Sequence, residues 1–223
     1  MAPRFTLPAD DGGKIGIFNL TKQFAELNSD VTFFTFDDGT ISEEHAKEFE
    51  KYARLVTVEH KPENSIANAA NAFVRNDSVY LFKHFNARIA SFLDKFLKTN
   101  KFDAIHSDHT AMARAALFAR KKLGVAAGLR LHNVEWIIWK RYADSLSPAN
   151  PMKYYSLYQA LLLRRYEGAL IGKFDVAFPI TASDHENARR IAPAAHLVTV
   201  PAGVDMEKFL TPSGRDRNGR EML

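Results

Sequence analysis

VAAGLRLHNVEWIIWKRY, residues 125–142, carries an apolar run straight into His132, Asn133 and Glu135, and follows these with Trp136 and Trp139. A strand that ends on polar side chains and turns into a helix is the repeating unit of an α/β fold. The unit recurs along the chain. VTFFTF (31–36), RLVTVEH (54–60), FDAIHS (102–107), FDVAFPI (174–180) and HLVTV (196–200) are further short apolar or β-branched runs with turn or polar residues nearby. Helical periodicity fills the intervals, at Ile17, Leu20, Phe24 and Leu27 within 15–27 and at Phe82, Phe85, Ile89, Phe92 and Phe96 within 80–98. In TASDHENARRI, Ser183 stands three residues before Glu186, a capping-box pattern. This alternation implies parallel pairing with helices on both faces. The expected fold is α/β, a Rossmann-like, doubly wound, mostly parallel sheet.

Composition bounds the function. A length of 223 residues allows one large domain or two small ones, and hydrophobic and charged fractions of 46% and 25% are ordinary globular values. No apolar run approaches the roughly 18 residues of a membrane span. MAPRFTLPADDGGK lacks the apolar segment of a signal peptide, so a cytoplasmic location is expected. The absence of cysteine excludes disulfides and cysteine-ligated metals. A net charge of +4 favours an acidic partner, a phosphate or an anionic membrane surface, and is too mild to point to nucleic acid. Both ends read as interrupted. PADDGGK arrives after only seven residues, so the first strand is expected to be missing or reduced to a stub around residues 1–5. Unpaired backbone there would favour a homo-oligomer.

Ligands of open α/β sheets bind beyond the carboxyl ends of the strands, which ranks the polar residues at those positions first. Gly12 and Gly13, ahead of a helix, let backbone N–H groups approach an anion, although Asp-Asp-Gly-Gly is also an ordinary capped turn. His106, Asp108 and His109 close a strand. A third metal ligand is not evident, so no metal site is expected; Asp108 or Thr110 reads as a helix cap, with His109 free to touch a ligand from the loop. His132 can hydrogen-bond a hydroxyl or stabilise charge, and Asn133 and Glu135 offer further hydroxyl partners, as a carbohydrate requires. Trp136 and Trp139 share a helix face and read as core more than as a sugar platform. Arg164, Arg165 and Glu167 read as a solvated face or an ion pair. The basic aromatic helix at 80–98 reads as packed on the sheet, with peripheral contact to the inner face of a membrane as the competing reading.

Taken together, PADDGGK (8–14), FDAIHSDHTA (102–111), LRLHNVEW (129–136), RRYEGALIGKFDVAFPITASD (164–184) and VPAGVDMEKF (200–209) resemble the N-terminal domain of retaining glycosyltransferases of family 4, the group 1 transferases with the GT-B fold. HNVEW followed by VPAGVD is the more specific part; the glycine loop alone is not. The resemblance implies a Rossmann-like acceptor domain over 1–204, leading through 205–223 toward a C-terminal lobe that holds most of a nucleotide-sugar donor. It implies hexosyl transfer to a carbohydrate or lipid-linked acceptor, as in polysaccharide biosynthesis, with no cofactor. It assigns His132 to the transferred sugar as the catalytic contact. Gly12, Gly13 and Lys14 go to the donor phosphate or sugar, and Asp11, His109, Asn133 and Glu135 to the acceptor. The paired-glutamate donor motif of the family's C-terminal half has no counterpart after Val204, so the chain is expected to be inactive alone.

Three other readings stay open. A GT-B nucleotide-sugar epimerase would share the fold and the glycine loop, though HNVEW and VPAGVD speak against it. A nicotinamide-dependent dehydrogenase would need G-x-G-x-x-G, and DGGKIG has the wrong spacing, although Asp37 does follow VTFFTF. A non-catalytic sugar- or partner-binding domain is the third.

Overall fold

The computed structural model describes residues 1–203, so the expected linker at 205–223 lies outside the described residues. Strands β1 (Thr32–Asp37) and β2 (Arg54–Glu59) pair in parallel. Strands β3 (Ala104–Asp108), β4 (Ala126–Leu131) and β5 (Val176–Pro179) form a second parallel group in that order. Residues 1 and 2 lie between the groups. The Ala2 N–H donates to the Phe34 carbonyl at 3.0 Å, and the Asp108 N–H donates to the Met1 carbonyl at 2.8 Å. The HLVTV run contributes a single parallel bridge, Ala177 to Leu197, rather than a strand. The architecture is mixed α/β and Rossmann-like.

Local chemistry sets the helix ends. Asp11 caps α1 (Gly12–Glu26) and Ser42 caps α2 (Glu43–Phe49), each by accepting a backbone N–H in the first turn. The periodicity over 80–98 resolves into two helices rather than one. After α3 (Ile66–Val74) come α4 (Val79–Phe82) and α5 (Ala87–Thr99), with Asn86 capping α5. On α5 the fully buried positions are Ile89, Leu93 and Leu97, while Phe92 packs on Phe34 and Phe96 on Phe102. Its basic residues pair on the surface, Arg88 with Glu59 and Lys98 with Asp94. After β3, a 3₁₀ turn (Thr110–Met112) leads into α6 (Ala113–Leu123), which ends on left-handed Gly124. Beyond β4 come α7 (Glu135–Ser145) and the long α8 (Pro151–Ile171), which starts with Asn150 as cap and Pro151 in its first turn. Helix α9 (Ala182–Ile191) is capped by Thr181 and not Ser183: the Thr181 hydroxyl accepts the Asp184 N–H and donates to its carboxylate.

The two strand groups share a core that runs from Phe34, Phe36 and Val58 through Leu93, Met112, Leu129 and Leu131 to Leu163 and Ile171. A second cluster sits beneath α1 and α2, where Phe49 meets the rings of Phe5, Phe18 and Phe33. Strand β1 buries Phe33, Phe34, Thr35 and Phe36 in succession, as a strand covered on both faces must. On β3–β5 one face is fully covered through Ile105, Leu129 and Ala177. The other carries Arg130 and half-buried His106 and Phe178 beside α1, leaving a groove of about 740 Å³ that ends at Pro201 and Gly203.

Helices α8 and α9 meet at Gly168. A Cβ built there would lie 2.3 Å from the Ile191 carbonyl oxygen, a backbone atom that cannot swing aside. Gly168→Ala is therefore expected to destabilise the chain by about 1–3 kcal/mol. A lowered urea midpoint with unchanged slope would show it, and an unchanged midpoint would refute the packing argument.

Candidate functional site

The carboxyl ends of β3 and β4 bring Asp108, Arg130 and His132 onto one face of the sheet. Asp108 is 3% exposed and Arg130 7%. One Asp108 carboxylate oxygen hydrogen-bonds His132 Nε2; the other lies 3.4 Å from an Arg130 guanidinium nitrogen and 3.9 Å from His106 Nε2. Burial works to raise the Asp108 carboxyl, but the imidazoles of His106 and His132 outweigh it and hold it well below the usual carboxylate range. The carboxylate therefore stays charged and fixes the imidazole with Nε2–H turned toward it. His132 Nδ1 has no hydrogen-bond partner among the described residues, so it is the atom left to accept from, or when protonated donate to, a ligand hydroxyl. Asp108 thus anchors His132 and does not cap a helix.

His109 follows directly and stacks on His132, with centroids 5.2 Å apart. Its backbone sits at φ 100°, a region that disfavours side chains and persists only where neighbours over-determine it. Here they do: its N–H donates to the Arg130 carbonyl, its carbonyl accepts from Met112, and its Nδ1 lies 2.8 Å from the Tyr80 hydroxyl. Burial, then the neighbouring His132, lower its pKa to about 4, so it is neutral near pH 7. Its Nε2 is 3.7 Å from the Glu135 carboxyl. Burial pushes Glu135 up to about 7, against the pull of Tyr80 and Lys83. The rim therefore offers the neutral His109 imidazole stacked on that of His132, a phenol and a carboxyl close to its protonation midpoint, a set of donors and acceptors suited to hydroxyl groups.

Glu167 is the residue that sequence reasoning misplaced. It is fully buried on α8 and accepts hydrogen bonds from the backbone N–H groups of Glu135 and Trp136 and from the Thr110 hydroxyl, at 3.0, 3.2 and 3.3 Å. Helix α7 has Val134 at its cap position with no side-chain hydrogen bond, so a carboxyl from another helix does the capping. Glu167 lies in register with buried Leu163 and Leu170, a signal in the sequence that marks it as inward-facing.

The glycine loop is held by its own ion pairs. Asp11 accepts the Lys14 N–H and is held by Arg4 at 2.8 Å, so its carboxylate already occupies the end of α1. Gly13 faces this pair: a Cβ would lie 2.8 Å from Arg4 and 3.1 Å from Asp11. Gly12 faces open space, and Lys14 pairs with Asp10. Neither glycine touches His132. The bridge is Arg130, whose guanidinium lies 3.4 Å from both the Gly16 carbonyl of α1 and His132 Nε2. Asn133 is exposed at the rim. Trp136 and Trp139 pack against the core, under Arg164 and against Tyr155 respectively.

These features define a parallel α/β fold with a rim of hydrogen-bonding side chains at the carboxyl ends of its strands. The model of Glycosyltransferase Family 4 matches residues 11–208, and the chain belongs to that family. Among solved structures, one described as LpCGTa in complex with UDP aligns at 13% identity and a TM-score of 0.46, over 95% of this chain and 54% of that one. The chain thus spans about half the length of that structure. No curated protein matches it.

Proposed function

We propose that the chain supplies the acceptor side of a retaining glycosyltransferase that moves a sugar from a nucleoside-diphosphate donor to a carbohydrate or lipid-linked acceptor. The observation that supports this most is the Asp108–His132 pair, which leaves one imidazole nitrogen available at the rim beside neutral His109 and Glu135. Sugar transfer passes through an oxocarbenium-like state. His132 would hydrogen-bond a hydroxyl of the transferred sugar, while Glu135 and Asn133 hold acceptor hydroxyls. Charge developing on the leaving diphosphate falls mainly to cations of a second lobe, because Asp11 already occupies the end of α1 and Lys14 is paired with Asp10. In this reading the chain alone binds but does not turn over.

Calorimetry on the 223-residue chain separates the readings. Saccharides and nucleotide sugars are expected to bind weakly, with affinity falling about tenfold in His132→Ala, the loss of roughly one hydrogen bond. Preferential binding of a nicotinamide dinucleotide, or saccharide binding indifferent to His132, would overturn the proposal. Sugar transfer by the isolated chain would refute its dependence on a second lobe.

A further inference from the structure

Helix α3 is out of place in a water-facing domain. Its nine residues, IANAANAFV, carry no charge, and only Ala72 is buried. Ile66 is 90% exposed, Val74 84% and Phe73 63%. The helix is nonetheless held in place. The Phe73 ring lies 5.8 Å from Tyr158 of α8, the Tyr158 hydroxyl donates to the Asn76 side chain at 3.1 Å, and the Tyr166 hydroxyl donates to the Asn76 carbonyl at 2.7 Å. Tyr154 and Leu161 stand four residues before and three after Tyr158 on the same face of α8, and both are exposed. An aromatic and aliphatic surface of this extent signals a partner, not scattered surface residues.

The charges around it select the partner. Neither α3 nor α8 as far as Tyr166 contains an acidic residue. Arg75 follows Val74, and Arg164 and Arg165 flank Leu161 one turn on; all three are exposed and none pairs with a carboxylate among the described residues, while Lys153 beside Tyr154 donates to the Leu146 carbonyl. The nearest acids are already engaged, Glu63 by Lys61 and Asp77 by Arg114. Aliphatic side chains to insert, tyrosines for the interface and exposed arginines without a carboxylate partner are the composition of an element lying in the surface of an anionic membrane.

We propose that α3 and the adjoining face of α8 dock the protein on an anionic lipid bilayer. Helix α5 does not do so, because its apolar side is built into the core. The inference stands apart from the transfer reading and needs only this surface. It has a bearing on the site all the same: α3 follows β2 and leads through α4 to Tyr80, whose hydroxyl contacts His109, so docking would turn that rim toward the lipid.

Flotation of the 223-residue chain with vesicles tests it. Binding is expected to phosphatidylcholine vesicles containing phosphatidylglycerol, to weaken as salt is raised, and to be small with phosphatidylcholine alone. The triple variant Ile66→Ser, Phe73→Ser, Val74→Ser should lose at least about tenfold in vesicle affinity, and Arg75→Glu with Arg165→Glu should do the same. Lys95→Glu with Lys98→Glu, on the solvent side of α5, should bind like the parent. All the changed side chains are exposed, and matched melting curves confirm that the variants are folded. Absence of vesicle binding, or binding unchanged in the triple variant, overturns the proposal. So does a dimer, seen by sedimentation, that the triple variant dissolves, since the surface would then join two copies of the chain.

Discussion

Asp108→Ala is expected to lower the stability of the chain by about 3–5 kcal/mol, the range for removing one partner of a buried ion pair. The loss comes from what the carboxylate leaves behind. Arg130, 7% exposed, would keep only the Gly16 carbonyl at 3.4 Å, and His132 would lose the anchor of its Nε2. Arg130→Met added to Asp108→Ala should recover much of the loss, because two apolar groups in place of a buried pair are often neutral. Asp108→Asn separates structure from site chemistry. The amide retains the shape, but an Asn Nδ2–H turned toward His132 Nε2 would force the imidazole proton onto Nδ1. The available nitrogen would then change from acceptor to donor, and saccharide affinity should fall while the fold persists. Urea unfolding and calorimetry on the three variants check the series. An Asp108→Ala cost below about 1 kcal/mol would show that the pair is not the anchor proposed. The cost should also be level across neutral pH. A carboxyl depressed in the folded state contributes stability above its unfolded pKa and loses it only as pH falls through the folded value.

The parallel sheet is legible because each strand is a short apolar run and each rim begins where polar residues interrupt it. His132 and Glu135 could be ranked by that rule alone. What ties them together could not. Arg130 sits within GLRL, and only the neighbouring strand reveals that an inward arginine meets Asp108, twenty-two residues away. Tyr80 and His109 are brought together by the route of α4 over the rim, which no local spacing encodes. The aromatic periodicity over 80–98 passes through His84, Phe85 and Asn86 without a visible break, yet Asn86 restarts the helix by capping it, and the buried stripe moves to Ile89, Leu93 and Leu97. Glu167 was within reach. Its spacing from Leu163 and Leu170 places it inward, but a carboxylate beside two arginines in sequence reads as surface until the uncapped start of α7 supplies a reason to bury it.

Glu167→Ala is expected to cost on the order of 3 kcal/mol, because it strands two buried backbone donors at the start of α7 and the hydroxyl of Thr110. Glu167→Gln should cost less, since its amide oxygen can still accept while its NH₂ faces a donor. The informative quantity is how that cost varies with pH. Burial raises the Glu167 carboxyl to about 8, with the N–H groups of Glu135 and Trp136 pulling the other way and the Glu135 charge adding to the rise. A carboxyl raised on folding holds a proton that the unfolded chain gives up near pH 4.5. Its contribution is therefore full below that pH and is lost as pH climbs through the folded value. The glutamine variant does not titrate. The stability difference between parent and variant should thus shrink from pH 5 to 8 by at least about 1–2 kcal/mol, one pKa unit being about 1.4 kcal/mol. Taking the difference cancels the groups common to both proteins. These include His84 and His109, depressed to about 3 and about 4, and the Met1 amine, lowered to about 6, all of which slope the opposite way. A difference that stays flat across this range would mean that Glu167 caps α7 as a fully ionised carboxylate. Glu135, next to the capped turn, would then sit beside a permanent negative charge, and its own midpoint should move further up, toward a neutral hydrogen-bond donor at the rim.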